Sequence, residues 1–421
     1  MNNSQLFIAV TLWCMMNIDL CRDHMNDISD EAMQATNEHT IPFMLDLFKE
    51  IAPSTDVSNV LISPISVVTL LGMISAGAQG ETDLEITKVL GWNDMNEIAA
   101  HSGMSRTIKT INSYSDIKNA TVFLGNSIFV QDGYKVLKKY QRAVSEHYGV
   151  DQMSLVDFGK PGTRDLINKY VANMTNNLIT ESIPPNILDG TTRLVMCNAL
   201  FFRAAWKKPF SEYFTFNRTF KQSNNKNIIT EMMSITDKFN YAFIPDIGAK
   251  VVELEYLSLN VSMYILLPQL ENSSEDPMEA LKKMKANIDR NQHFFKEVDS
   301  KLKERKVSLT LPKFSMTADY DLKKYLPILG INRVLDPHRA DLSGITGRRF
   351  GLHVSSVLMK ASIKVDEKGS IGAAAASGAF GTRSSRLVVV AANRPFAFYI
   401  YDKTTKAVLF FGQLVDPTKS V

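Results

Sequence analysis

The chain has 421 residues, 45% of them hydrophobic, and a formal net charge of +3. That is ordinary for a soluble protein with a sizeable core, and so mild a basic balance is no argument for nucleic acid as a partner. No Pro/Gly/Ser-rich linker, charge block or internal repeat divides the chain, so one large domain is as admissible as two or three.

At the N-terminus, Leu6–Met16 is an apolar run of eleven residues broken only by Thr11, too short to span a bilayer. Polar Asn17 and Asp19 follow it. The run reads as the h-region of a secretory signal over residues 1–21, cleaved near Cys21–Arg22, although no Lys or Arg precedes it and no clean small-x-small site follows. A secreted, extracellular protein is the expectation. Beyond that, Pro42–Ala52 carries Met44, Leu47, Phe48 and Ile51 at i, i+3, i+4, i+7, the spacing of an amphipathic helix with Pro42 at its start. Asn59–Ile62 is a short buried strand. Ser63 and Pro64 then suit the N-cap and first position of a helix reaching about Ala76, apolar nearly all round and therefore internal.

Strands are predicted at Ala120–Val130, Leu194–Phe202, Lys250–Glu255, Ser262–Leu267 and Val307–Leu311. Helices are predicted at Val136–His147, Arg164–Asn176 and Tyr320–Leu326. Ala361–Val365, Leu387–Ala391, Phe396–Tyr401 and Ala407–Phe411 are further strands. The pattern is α+β with long antiparallel sheet content.

Of the three cysteines, Cys14 and Cys21 fall in or beside the signal and Cys197 in an apolar strand, so no disulfide framework is expected. The sequons Asn119, Asn173, Asn217, Asn260 and Asn272 are candidate glycosylation sites. Asn260 precedes an apolar strand and is expected to be inaccessible. The densest basic cluster, Lys301, Lys303, Arg305 and Lys306, reads as a solvated face, while Arg106, Lys109 and Lys118 are a candidate glycosaminoglycan site. G-x-S-x-G, H-E-x-x-H, C-x-x-C and G-x-x-x-x-G-K-[ST] are absent, and the seven histidines show no metal-ligand spacing. No catalysis, metal or cofactor is expected, and no nucleic-acid or membrane partner.

Between two of the predicted strands lies Glu367–Ser384, EKGSIGAAAASGAFGTRS. From Gly369 to Gly381 only Ile371 and Phe380 have large side chains. A loop this long inside a compact domain is usually functional or disordered. It ends in Arg383-Ser384, bait for a protease whose specificity pocket holds a carboxylate, with Arg386 as a rival.

The order of motifs resembles that of the serpin family. They are Asn59-Val-Leu-Ile-Ser63-Pro64-Ile-Ser66, Asn198 to Phe210 with Trp206, Asp341-Leu-Ser-Gly344, Val365-Asp-Glu-Lys-Gly369, Asn393-Arg-Pro395-Phe396 and Phe411-Gly412. The resemblance covers nearly the whole of 22–421 and implies a single monomeric domain. Its fold would have a large mostly antiparallel central sheet, further sheets, about nine helices and an exposed reactive-centre loop at about 367–390.

The resemblance implies that a trypsin-like serine protease attacks Arg383-Ser384 and forms an acyl-enzyme, and that the loop inserts into the central sheet and traps it. The loop hinge would be Glu367, Gly369, Ser370, Gly372, Ala373, Ala374, Ala375 and Ala376. Fourteen residues, Ser370 to Arg383, would span roughly 46 Å at about 3.3 Å each. No Pro or charge interrupts Gly369–Thr382, as a strand interior requires. Trp206, Lys313 and Glu367 would stand where the loop enters the sheet, with Glu367–Lys313 as an exposed pair of local effect. Ser63, Ser66 and Asn198 would form a satisfied polar cluster beneath the sheet.

The sequence departs from the pattern in places. Met359 stands where many serpins place His, Ile371 and Gly372 replace a polar residue and Ala, and Ala397 is smaller than usual. Counting back from Pro395 moves the scissile position one residue, toward Ser384. Such a shift is the one feature favouring a non-inhibitory carrier, storage or ligand-binding serpin that is cleaved as a plain substrate.

Overall fold

The computed structural model describes residues 30–52, 58–150, 153–174, 181, 183–272, 274–291, 294–369 and 387–421. The expected signal, Cys14, Cys21, hinge residues Ser370 and Gly372–Ala376, and Arg383, Ser384 and Arg386 lie outside them.

Residues 30–39 are helical. Helices follow at Ile41–Ile51 (α1), Pro64–Ser75 (α2), Glu81–Val89 (α3), Glu97–Ser113 (α4), Lys138–Tyr148 (α5), Thr163–Met174 (α6), Pro277–Asp289 (α7), Phe294–Lys301 (α8) and Ser343–Thr346 (α9). The α1 face is the one its spacing predicts, with Met44, Leu47, Phe48 and Ile51 buried. At α2 the Ser63 side chain accepts from Ser66 N–H, Pro64 opens the helix, and all twelve residues are buried. Helix α5 ends at Gly149, whose φ of +65° is the left-handed C-cap that glycine accepts without strain.

The strands are β1 (Val60–Ile62), β2 (Ala120–Gln131), β3 (Ser154–Val156), β4 (Leu194–Ala204), β5 (Thr215–Ser223), β6 (Lys226–Ile244), β7 (Ala249–Glu255), β8 (Val261–Pro268), β9 (Lys303–Pro312), β10 (Phe314–Asp321), β11 (Ser356–Val365), β12 (Val388–Ala391), β13 (Phe396–Asp402) and β14 (Ala407–Leu414). One sheet runs β1-β14-β13-β8-β7-β6-β9-β12, with β5 also on β6, and is antiparallel except where β12 joins β9. The other runs β10-β11-β4-β2-β3. Its β10–β11 and β4–β2 joins are antiparallel, and its β11–β4 and β2–β3 joins are parallel. The α+β class follows.

The helix expected at Tyr320–Leu326 is not there. Strand β10 runs through Asp321, and only a 3-10 turn follows at Leu322–Lys324. Phe314, Met316 and Ala318 are buried while Ser315, Thr317 and Asp319 are exposed, a period of two that carries Tyr320 into register with Met359. The Asp321 carboxylate then accepts from Lys323 N–H and ends the strand.

Several elements have no counterpart in the sequence reading: α3, α4, α7, α8 and the β5–β6 hairpin. Asn224-Asn225 at that hairpin and Asn96 as the α4 cap, accepting from Ile98 and Ala99 N–H, were the available signals.

Helix α2 packs on β14 of the larger sheet and on β4 of the smaller. The main core therefore lies between the sheets, where β4 contributes Leu194, Met196, Leu200 and Phe202. The opposite face of β4, with Val195, Cys197 and Ala199, packs with Ile167 and Val171 of α6 in a second cluster.

Candidate functional site

The site is built around β11. Along eight residue pairs, from Ser356 opposite Val195 to Ile363 opposite Phe202, β11 is hydrogen-bonded directly to β4. No other strand lies between them among the described residues. Parallel pairing is slightly less stable per residue than antiparallel. A chain entering here antiparallel to both strands would replace one parallel join by two antiparallel ones.

The chain leaving β11 is already turned toward that join. Asp366 N–H donates to Gly369 O at 3.1 Å, and Gly369 N–H to Asp366 O at 3.3 Å. Gly369 has φ +106°, and a Cβ on it would lie 2.4 Å from Ala204 O. Only glycine fits both demands. Gly369 forms an antiparallel bridge with Ala205, one residue past the end of β4. Trp206 N–H donates to Lys368 O at 3.1 Å and its indole N–H to Asp366 O at 3.0 Å. The Trp206 ring is stacked on Tyr256, with centroids 4.5 Å apart.

Glu367 sits inside this turn and is only 7% exposed. Its carboxylate lies 3.3 Å from Lys313 Nζ and accepts from the Thr215 hydroxyl at 2.9 Å. Its backbone carbonyl accepts from Phe210 N–H at 2.8 Å. Burial pushes the carboxyl pKa up. Its own backbone N–H, Thr215 and Lys313 outweigh burial and hold it below the usual carboxylate range. The sequence reading took this pair as exposed; the acid is buried, so the surface-pair magnitude does not apply. Lys313 is shared with Glu231, also at 3.3 Å.

Beneath the sheet, Ser63, Ser66 and Asn198 are all buried. The two serine hydroxyls are 2.7 Å apart. Ser63 N–H donates to the Met359 sulfur at 3.3 Å. Asn198 Nδ2 donates to Asn126 Oδ1 at 2.7 Å, and Asn126 Nδ2 to Tyr148 O at 2.7 Å. Asn198 Oδ1 has no hydrogen-bond partner among the described residues. The expectation that this cluster is fully satisfied is thus corrected. Met359, opposite Asn198 in the β11–β4 register, brings a thioether and no donor.

The remaining candidates are scattered. Asn173, Asn217, Asn260 and Asn272 are exposed, so the burial expected for Asn260 is not found; it lies in the turn between β7 and β8, where its amide donates to the Thr404 hydroxyl. Asn119 is half-buried with φ +69°. Arg106 is paired with Asp30, while Lys109 and Lys118 are exposed. Lys301 pairs with Glu297 and Asp246. Cys197 is a free, buried thiol whose pKa burial pushes up. Thr215, Asp366, Tyr256 and Asn126 belong to the site and were missed. Asn126 alone had a signal, as an amide inside an apolar strand.

The family model described as Serpin (serine protease inhibitor) matches residues 38–417. The chain is 30% identical over 380 residues to the leukocyte elastase inhibitor of Xenopus tropicalis, covering 89% of this chain and 97% of that protein. It is 34% identical over 366 residues to iripin-2 of Ixodes ricinus, covering 86% and 89%. The crystal structure of human thyroxine-binding globulin matches with a TM-score of 0.81 at 25% identity, covering 92% of this chain and all of that one.

Proposed function

The chain belongs to the serpin family, and from that premise we propose that it is a secreted suicide inhibitor of trypsin-like serine proteases. The target's serine hydroxyl attacks the Arg383 carbonyl, the Arg383–Ser384 amide breaks, and Ser384 leaves with a new amino terminus. The acylated loop then enters between β4 and β11 before water can attack the ester.

One observation carries this reading. Among the described residues the β4–β11 join is closed and parallel, and the chain that leaves β11 toward the bait is bridged, antiparallel, to the end of β4 at Gly369–Ala205. The small run Ala373–Ser377 supplies side chains that a strand interior accepts.

The test is to mix the purified mature chain with trypsin and with thrombin, run a denaturing gel and sequence the released C-terminal fragment. A band at the summed mass and a fragment beginning at Ser384 are expected. Cleavage without such a band across a trypsin-like panel would overturn the inhibitory reading. It would favour the alternative of a carrier, storage or ligand-binding serpin, for which Ile371-Gly372 in the hinge is the supporting feature. Secretion rests on residues 1–21 and the sequons. Expression in a secretory host, with N-terminal sequencing and glycosidase digestion of the medium, checks it.

A further inference from the structure

Strand β6 changes partners along its length, and a cavity opens where it does. It pairs with β9 as far as Tyr241 and with β7 from Tyr241 to Ile244. The β6–β7 ladder stops at the pair Tyr241 and Val252. Beyond that pair, residues 238–240 and 253–255 line a cavity of about 300 Å³, the lower end of the range for small-molecule sites. Two splayed strands present backbone N–H and C=O groups to the gap between them.

Residues 206–208 span the mouth of this gap. Lys207 N–H donates to Glu255 O at 2.9 Å, on the β7 side. The Lys208 ammonium donates to Lys238 O and pairs with Asp237 at 3.0 Å, on the β6 side. Trp206 lines the cavity too, and its indole N–H holds Asp366 O at 3.0 Å. At the floor, Asn240 Nδ2 donates to Glu253 Oε2 at 2.8 Å. Glu253 is 3% exposed, and its Oε1 accepts from the Ser262 and Tyr264 hydroxyls and from Lys403. Burial raises its pKa, but Lys403, Ser262 and Asn240 outweigh burial and keep the carboxyl ionised at neutral pH. Among the described residues Oε2 has Asn240 as its one donor, which leaves room for another.

The lining has no net charge. Lys207, Lys208 and Lys238 stand against Glu253, Glu255 and Glu304. Two of the pairs, Lys207–Glu255 at 3.0 Å and Lys238–Glu304 at 2.9 Å, are well exposed. Pairs of that kind contribute little, so exchanging them for pairs with a ligand costs little. A ligand with one charge would strand a partner of the opposite sign; a ligand with both charges strands neither. Trp206, Phe239 and Leu254 are buried and give the cavity its apolar surface.

We propose that this cavity binds a free amino acid with a large apolar side chain. Its ammonium faces Glu253 and Glu255, its carboxylate Lys207 and Lys238, and its side chain Phe239 and Trp206. Because Trp206 also holds Asp366 and Lys368, a filled cavity braces the turn from which the bait loop departs. On the inhibitory reading, occupancy therefore slows loop entry. Binding itself does not depend on that reading.

The test uses the purified mature chain with no protease present. Of the three tryptophans, Trp13 falls in the expected signal and Trp92 packs on His101, so W92F leaves Trp206 as the reporter. Titration with L-leucine should change Trp206 emission saturably, with Kd of the order of millimolar, and should raise the melting temperature. Acetate and ethylamine should do neither. K207M and E255Q should each weaken binding about fivefold, and K296A should not. Circular dichroism identifies any misfolded variant, for which E304Q on the exposed rim stands in. Absence of any response to L-leucine or L-phenylalanine at about 20 mM, well above the expected Kd, overturns the proposal. So does an equal response to acetate or ethylamine alone, or a response that K207M and E255Q leave unchanged. If L-leucine binds as expected and no protease is ever trapped, the site stands and only its effect on loop entry is lost.

Discussion

Met359 and Asn198 face each other across the parallel join of β11 and β4, yet neither answers the other's hydrogen-bonding capacity. The thioether accepts Ser63 N–H, and the Asn198 carbonyl oxygen has no donor among the described residues. An unmet buried acceptor costs about 1–3 kcal/mol. Histidine at this position would bring a ring N–H. The Met359→Val variant, lacking both sulfur and donor, should melt below wild type, and Met359→His should melt several degrees above it while trapping protease more slowly. Calorimetry and complex-formation rates measure both, and an unchanged melting point for Met359→His would show that the orphaned acceptor is not the weak point.

The Glu367 carboxyl is held below its ordinary pKa, so its contribution is fully present above the unfolded value near 4.5 and is lost as pH falls through the lower folded value. Wild type should therefore exceed Glu367→Gln in stability at pH 7, and the two should converge as pH falls through the lowered folded value. Denaturant midpoints across that range give the answer. Parallel curves would mean that Lys313 and Thr215 hold the neutral amide equally well.

His101 makes a second, opposite-charge case. Burial, then the proximity of His147, lowers its pKa from 6.5 to about 4. The unfolded chain binds a proton between those values and the folded one does not, so stability falls as pH drops from about 6.5 toward 4. The ring contacts the Tyr148 hydroxyl, and Tyr148 O holds Asn126 beneath the sheet. His101→Gln keeps a polar partner without titrating, and its stability should be flatter over this window by up to about 3 kcal/mol.

The Gly369–Ala205 bridge fixes the register of any strand continuing from it. Counting on antiparallel, Ile371 meets Arg203, Gly372 meets Phe202, Ala374 meets Leu200 and Ala376 meets Asn198. Phe202 and Leu200 face the main core, whereas Arg203 and Phe201 are half-exposed. The bulky Ile371 would thus point to the roomy side and the smallest residues to the crowded one. Ala374→Ile should turn trapping into simple cleavage, and Ala373→Ile should be tolerated far better, as a ratio of complex to cleaved chain on a gel. Equal effects would mean that the register slips by one, which exchanges the two faces.

The class of fold was readable because its devices are local. Ser63-Pro64 announces α2, and the all-apolar α2 announces an interior helix. A seven-residue window at Tyr320 reads as helix, whereas pairing with Met359 in β11, a separate stretch of the chain, makes Tyr320 part of a strand. The β5–β6 hairpin was invisible for a related reason: β6 pairs on both edges and is exposed along much of one face, so its side chains lack strict alternation. At the site, Glu367, Lys313 and Trp206 could be named, but the burial of Glu367 depends on Thr215 and Phe210, which nothing in their own segment marks. The orphaned Asn198 oxygen depends on what Asn126 in β2 and Met359 in β11 bring beside β4, and no single stretch of sequence contains it.

The parallel join between β11 and β4 makes this molecule a consumable on the proposed reading. The bait bond is broken before the loop is laid into it and nothing in the chain re-forms that bond, so protection scales with the amount synthesised and each copy acts once. Warm storage that lets the join admit the loop without a protease would lower potency while leaving a folded, more heat-resistant protein behind. Batches of equal concentration and better melting point could then be the weaker ones, and titration against a known quantity of active protease is the assay that tells them apart.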